Sequence, residues 1–166
     1  METFAITFPA DGIINQIKTK SVYVEDTTTL IPCDDHLFVA LWDTGADQTG
    51  ISTRVAKMLN LKPLDQQSHK TAGDPMDVNL YRANIFLSNK FCLKDHLVHN
   101  LKGDDKDFDV LIGMDIISRG DFSITNFEGR TVFSFRIPSK GVIDYRKTEA
   151  FQNVMQPKHG NGKRKR

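Results

Sequence analysis

The sequence predicts an all-β protein, a closed or nearly closed barrel carrying two short helices. Three observations point there. Short apolar segments with two-residue alternation recur along the chain, and only two stretches bear helix start and stop signals. Glu128-Gly129 lies between two strand-like runs as a hairpin turn. Many short strands with few helices are the pattern of a barrel.

In chain order, Phe4, Ile6 and Phe8 alternate with Ala5 and Thr7 in a first strand, and Val22 and Val24 alternate with polar neighbours in a second. Residues 36–42, His-Leu-Phe-Val-Ala-Leu-Trp, form a nearly continuous apolar run, as a central strand would. The run stops at Asp43 and turns on Thr44 and Gly45. Ser52 is placed as the N-cap of a short helix whose Val55 and Leu59 share a face, and Pro63 blocks its continuation. Residues 70–75, Lys-Thr-Ala-Gly-Asp-Pro, read as a hairpin tip or loop, because Gly73 permits positive φ and Pro75 ends strand pairing. Val78, Leu80 and the run 84–87 predict a long strand after residue 76. Residues 108–113, Phe-Asp-Val-Leu-Ile-Gly, give another buried strand ending in glycine. Asp115 is expected to cap a brief helix through Ile116 and Ile117, with Gly120 as its stop. Residues 122–126 and 131–135 then flank the hairpin turn.

Composition sets bounds. At 166 residues and 39% apolar content the chain has one domain's length and enough material for a core. The domain is expected over residues 1–140, with 141–166 as a C-terminal extension. Its end, from Lys158 to Arg166, is strongly basic and reads as a solvated, disordered tail. A formal charge of +1 gives the folded body no call for a polyanionic partner, so nucleic-acid contact is confined to that tail. Two cysteines, Cys33 and Cys92, make no disulfide framework and suit a reducing compartment. The first residues lack the basic start and apolar run of a signal peptide, and no stretch reaches membrane-spanning length. The expected location is the cytoplasm, with no membrane partner.

Asp43 carries the chemistry. A carboxylate at the end of a buried strand, on a tight turn with a hydroxyl and a glycine, is held rigidly and partly desolvated. Desolvation and a second nearby carboxylate are what let an aspartate keep a proton at working pH. No second Asp-Thr-Gly or Asp-Ser-Gly occurs in the chain, so a two-carboxylate catalyst needs its second aspartate from a second copy. Asp-Thr-Gly alone also makes ordinary turns; its weight comes from the apolar-Gly motif seventy positions later.

The stretches 41–47, Leu-Trp-Asp-Thr-Gly-Ala-Asp, and 110–115, Val-Leu-Ile-Gly-Met-Asp, together resemble the retropepsin-like aspartic proteases. The likeness covers roughly residues 20–138, and the closing segments 121–126 and 133–138 look most like cellular, bacterial members. It implies a closed acid-protease barrel with one lobe per chain, acting as a homodimeric aspartic endopeptidase on peptide or protein substrates without a cofactor. Two copies of Asp43 would share a proton and activate a water between them. Thr44 would bond across the dimer to the other catalytic loop, and Gly45 would let main chains approach. Ala46 replaces a hydroxyl common in pepsin-like relatives, which implies a less acidic optimum than pepsin's. Asp47 would contact the main chain of bound peptide; in retroviral enzymes it also pairs with an arginine where Met114 stands here. Thr71, Ala72 and Gly73 fall where the family has a flap over substrate, and Leu111, Ile112 and Gly113 would pack beside the catalytic loop. The competing reading is a catalytically inactive dimeric peptide-binding module of the same fold. A third makes the basic tail a nucleic-acid binder and the barrel its scaffold.

A metal site is not expected. Cys92, His96 and His99 lie close together in sequence, but residues three apart in a strand point to opposite faces, and no second Cys or His pair completes a tetrahedral set.

Overall fold

In a computed structural model, residues 2–8, 16–69, 76–87, 91–102 and 107–144 of the chain are described. The strands are β1 (Glu2–Phe8), β2 (Ile17–Glu25), β3 (Leu37–Trp42), β4 (Gly50–Ile51), β5 (Asp65–His69), β6 (Met76–Leu87), β7 (Cys92–Asn100), β8 (Val110–Ile112), β9 (Asp121–Phe127) and β10 (Arg130–Ile137). Two short helices interrupt them, α1 (Thr53–Met58) and α2 (Met114–Ile117), and a 3₁₀ turn over Asp34–His36 precedes β3.

Six strands close into a barrel. Their order is β2-β3-β8-β4-β7-β6, and β2 pairs back onto β6 from Val22↔Leu87 to Glu25↔Asn84. β2 serves two neighbours because its register against β3 shifts between Lys20 and Val22, a bulge that bends the strand. β5 extends β6 outside the ring. Most neighbours are antiparallel, but β3 runs parallel to β8 and β4 parallel to β7. The central strand expected over 36–42 is therefore β3, flanked on both sides by β2 and β8.

A second, three-stranded sheet joins β1, β10 and β9, with Glu2↔Ile137 through Phe8↔Thr131 in register. The β9–β10 turn falls on Glu128 (φ 49°) and Gly129 (φ 74°). Two successive positive φ angles match the right-handed twist of the flanking strands, as a two-residue hairpin requires.

The barrel interior is filled by β-branched residues, among them Val22, Val24, Ile51, Ile85, Val110 and Ile112. The three-stranded sheet packs on the barrel through aromatic rings. The Trp42 ring lies 5.0 Å from those of both Phe133 and Phe135, and Phe4 meets Phe133 edge-on at 5.7 Å. Trp42 Nε1 donates to Thr19 Oγ1 at 3.0 Å, so the buried indole leaves no orphaned donor. Trp42 is thus a core residue, and it stands directly before Asp43.

Ser52 caps α1 as expected: Val55 N donates to Ser52 Oγ at 3.2 Å. Asp115 does not cap α2. Gly113 holds the N-cap position and Asp115 lies inside the first turn, where its carboxylate accepts from Thr49 instead. A short turn offers little to a capping side chain, whereas the buried Thr49 hydroxyl nearby needs a partner.

Candidate active site

Asp43 is the first residue beyond β3. Its N–H donates to Ile112 O at 3.0 Å, which carries the β3–β8 pairing one step past Trp42↔Ile112. The chain then folds back on itself. Ala46 N donates to Asp43 O at 3.3 Å, and Gly45 N donates to Asp43 Oδ1 at 2.8 Å. This second bond is the local side-chain-to-backbone contact that favours aspartate in turns, and it sets the direction of the carboxylate.

From Ala46 onward the loop is stitched to the segment after β8. Met114 N donates to Ala46 O at 2.8 Å and Asp115 N donates to Asp47 O at 3.1 Å. Gly113 N donates to Thr49 Oγ1 at 3.2 Å. Asp47 is thus tied by its main chain, and Met114 beside it has no charge to offer its side chain. The closest approach is at Gly113, where an added Cβ would stand 2.6 Å from Gln48 C and 2.7 Å from Gln48 O. Backbone atoms cannot swing aside as a side-chain tip can. Gly113→Ala is therefore expected to lower stability by about 1–3 kcal/mol, read as a lower urea midpoint with unchanged slope.

The candidate residues Asp43, Thr44, Gly45, Ala46 and Asp47 form this one loop, with Leu111, Ile112 and Gly113 packed or bonded beside it. Thr71, Ala72 and Gly73 lie outside the described residues; on either side β5 and β6 pair as far as His69↔Met76. A cavity of about 400 Å³ opens beside the loop, lined by Asp43 and Thr44 together with Phe122 and Ile124 of β9. Asp43 is half-buried and Thr44 exposed, so both are presented at the rim of open space.

Sequence reasoning missed Thr49 and His96. Thr49 is fully buried, and His96 Nε2 lies 2.9 Å from Asp115 Oδ2. The signal was present: a threonine four residues after Gly45 and an aspartate two after Gly113 flank the same crossing. Among the described residues no cluster of three or more His, Cys, Asp or Glu side chains could hold a metal ion. Cys33 and Cys92 are free thiols, and burial pushes the Cys92 thiol above its ordinary pKa.

The sequence model of the family described as "gag-polyprotein putative aspartyl protease" matches residues 31–119, more than half of the chain and all of the stitched loop. The chain belongs to the retropepsin-like aspartic proteases. Among solved structures it is similar to a retropepsin-like aspartic protease from Rickettsia conorii, at 14% identity and a TM-score of 0.50, covering 81% of this chain and 92% of that one. That likeness is one of fold. Lower scores are found with the EIAV protease complexed with the inhibitor HBY-793 (17% identity, TM-score 0.42, 64% and 88% covered). The retroviral protease-like domain of Ddi1 from Leishmania major scores 0.37 at 15% identity, with 70% and 94% covered. No curated protein sequence matches the chain significantly. In this retropepsin-like chain, no helix among the described residues is long and apolar enough to cross a membrane.

Proposed function

We propose that the protein is an aspartic endopeptidase that works as a homodimer, each copy supplying one Asp43. The observation that carries this is the Asp43 turn itself. Its carboxylate is aimed by the Gly45 N–H, its main chain is fixed to Ile112, and it stands at the rim of an open cavity. One such carboxylate is half of an acid–base pair. Ile124 on β9, which lines the same cavity, is 44% exposed, and Phe127 at the end of that strand is 70% exposed, apolar surface of the kind that a second copy covers.

Brought together, two Asp43 carboxylates cannot both ionise cheaply, so they share a proton; aspartic proteases are the known case of this coupling. The pair titrates as a unit. The charged partner takes a proton from a water lying between the two, and the water oxygen attacks the peptide carbonyl carbon. The protonated partner donates to the carbonyl oxygen and stabilises the tetrahedral intermediate. Thr44 bonds to the main chain of the opposite loop, and Gly45 keeps that approach open. Ala46 and Asp47 line the peptide's path, and Thr71, Ala72 and Gly73, between β5 and β6 in the sequence, are assigned to peptide binding as well. The free thiols of Cys33 and Cys92 support placing the enzyme in the reducing cytoplasm.

Because each site draws on two chains, activity per chain depends on concentration. Cleavage of a peptide mixture, followed by mass spectrometry, is expected to fall steeply on dilution through the range where sedimentation shows dimers parting into monomers. A dimer that binds peptides but cleaves none at any concentration would make the protein a peptide-binding module. Cleavage by a strict monomer would overturn the shared site.

A further inference from the structure

Behind the Asp43 loop lies a set of side chains that the cleavage chemistry does not use. Asp115, in the first turn of α2, has both carboxylate oxygens engaged. Its Oδ1 accepts from Thr49 Oγ1 at 2.7 Å, and its Oδ2 accepts from Thr49 N at 3.0 Å. His96 Nε2 lies 2.9 Å from the same Oδ2. An ionised carboxylate only accepts, so His96 carries its proton on Nε2. Burial pushes the Asp115 carboxyl upward in pKa, but hydrogen bonds from His96 and Thr49 outweigh it and hold the group below the usual aspartate value. Thr49 Oγ1, bound to Asp115 on one side, accepts the Gly113 N–H on the other.

What this network holds is a loop with little apolar packing to hold it. From Asp43 to Gln48 every residue is half-buried or exposed, and Thr49 is the first buried side chain after Trp42. Apolar packing therefore cannot fix the loop's position; hydrogen bonds must. Four of those are main chain to main chain and survive any side-chain change: Asp43 to Ile112, Met114 to Ala46, Asp115 to Asp47, and His99 to Thr49 O. The side-chain anchor is the Thr49 hydroxyl, and Asp115 orients it. His96, 9% exposed on β7, braces Asp115 through the same Oδ2 that accepts from Thr49 N. An apolar trio could fill the same space without desolvating a charge, so packing alone does not account for the choice of residues.

We propose that Asp115, braced by His96, is a positioning residue for Asp43, acting through Thr49 and its bond to Gly113. The proposal rests on reading Asp43 as the catalytic carboxylate and names residues that never touch substrate. A catalytic group displaced by a fraction of an ångström loses rate without losing affinity for the peptide.

The test uses the full chain with Thr49→Val, Thr49→Ser, His96→Leu and His96→Gln, each assayed on a peptide that the wild type cleaves. Thr49→Val is expected to lower kcat by roughly ten- to a hundred-fold with a smaller rise in KM, because the catalytic group tolerates displacement less than the main-chain contacts of Ala46 and Asp47 in the same loop. Thr49→Ser, which keeps the hydroxyl, restores most of the rate. His96→Leu lowers kcat in the same way, and His96→Gln recovers it, since the glutamine amide nitrogen can donate where Nε2 does. A merely structural role would lower the melting temperature and leave kcat per folded dimer unchanged; that result overturns the proposal. Backbone amide spectra give a second readout that does not need turnover. The Asp43 and Gly45 signals are expected to shift in Thr49→Val and His96→Leu and to return in the conservative partners. If the wild type cleaves nothing, the peptidase reading fails by itself. The amide signals then decide the positioning, and their staying in place overturns it.

Discussion

Asp43→Asn is expected to abolish peptide cleavage while the protein keeps its fold and its dimer. The asparagine oxygen can still accept the Gly45 N–H, so the turn is retained. What disappears is the ionisable group, and with it both the base that activates water and the acid that donates to the carbonyl. Loss of such a group removes roughly 10²–10⁴-fold of rate, enough to put cleavage below detection in a peptide assay. The shared site adds a sharper expectation. Excess Asp43→Asn chain mixed with wild type should suppress wild-type activity, because mixed dimers hold a single ionisable aspartate. The unfolding transition of the variant should coincide with that of the wild type. Undiminished cleavage by the purified variant would point to a different nucleophile.

Phe133→Ala is expected to be among the most destabilising single changes. Phe133 is fully buried and its ring touches those of Phe4, Trp42 and Phe122, so it joins all three strands of the small sheet to the barrel. Truncation of a buried phenylalanine costs about 3–5 kcal/mol, through lost burial and the cavity left behind. Set against a total of about 5–15 kcal/mol for an ordinary domain, that is a large share. The measurement is urea or thermal unfolding, and the midpoint should drop by roughly 10 °C. Phe133→Leu, which keeps most of the volume, should cost well under half as much. An equal loss for both would mean that ring geometry, and not volume, holds the sheet in place.

The parts of this fold that are legible in the sequence are those whose side chains alternate without interruption. Phe4, Ile6 and Phe8 announce β1, the run before Asp43 announces β3, and Glu128-Gly129 announces the last hairpin. β7 was hidden, for a physical reason. Asp95 has a φ of 51° and sits where the β6–β7 register shifts between Ala83 and Ile85. The bulge inserts a residue, so Lys94 and Asp95 are both exposed and the two-residue period breaks in mid-strand. β4 has two residues, too few for any periodicity, and β5 (Asp-Gln-Gln-Ser-His) has no apolar residue to alternate.

The candidate site divides in the same way. Asp43, Thr44, Gly45 and the glycine after β8 form motifs that stand out because chemistry and close packing restrict them. Gly113 is legible because a backbone crosses over it. Asp115 was visible, but its role was not, since a polar residue at a short helix start suggests a cap until its tertiary partners are seen. Thr49 is marked only by its spacing from Gly45, matched by that of Asp115 from Gly113, and His96 by nothing local. Their pairing with Asp115 joins positions far apart in the chain, and only closure of the barrel brings them together.

The order in which the strands pair also bears on how the chain comes into being on the ribosome. β3 emerges early, yet the partner that lies against it on the Asp43 side, β8, is made some seventy residues later, and β1 waits for β10 at the far end of the domain. Until then the strands have open edges and the aromatic face of β1 has nothing to cover it. Such long-range pairing makes for slow folding and a period of exposure to aggregation. It also has a protective side. The Asp43 loop has no fixed shape without Ile112, Gly113 and Asp115 to hold it. A nascent chain of this protein therefore carries the aspartate long before it carries the geometry that the proposed activity needs.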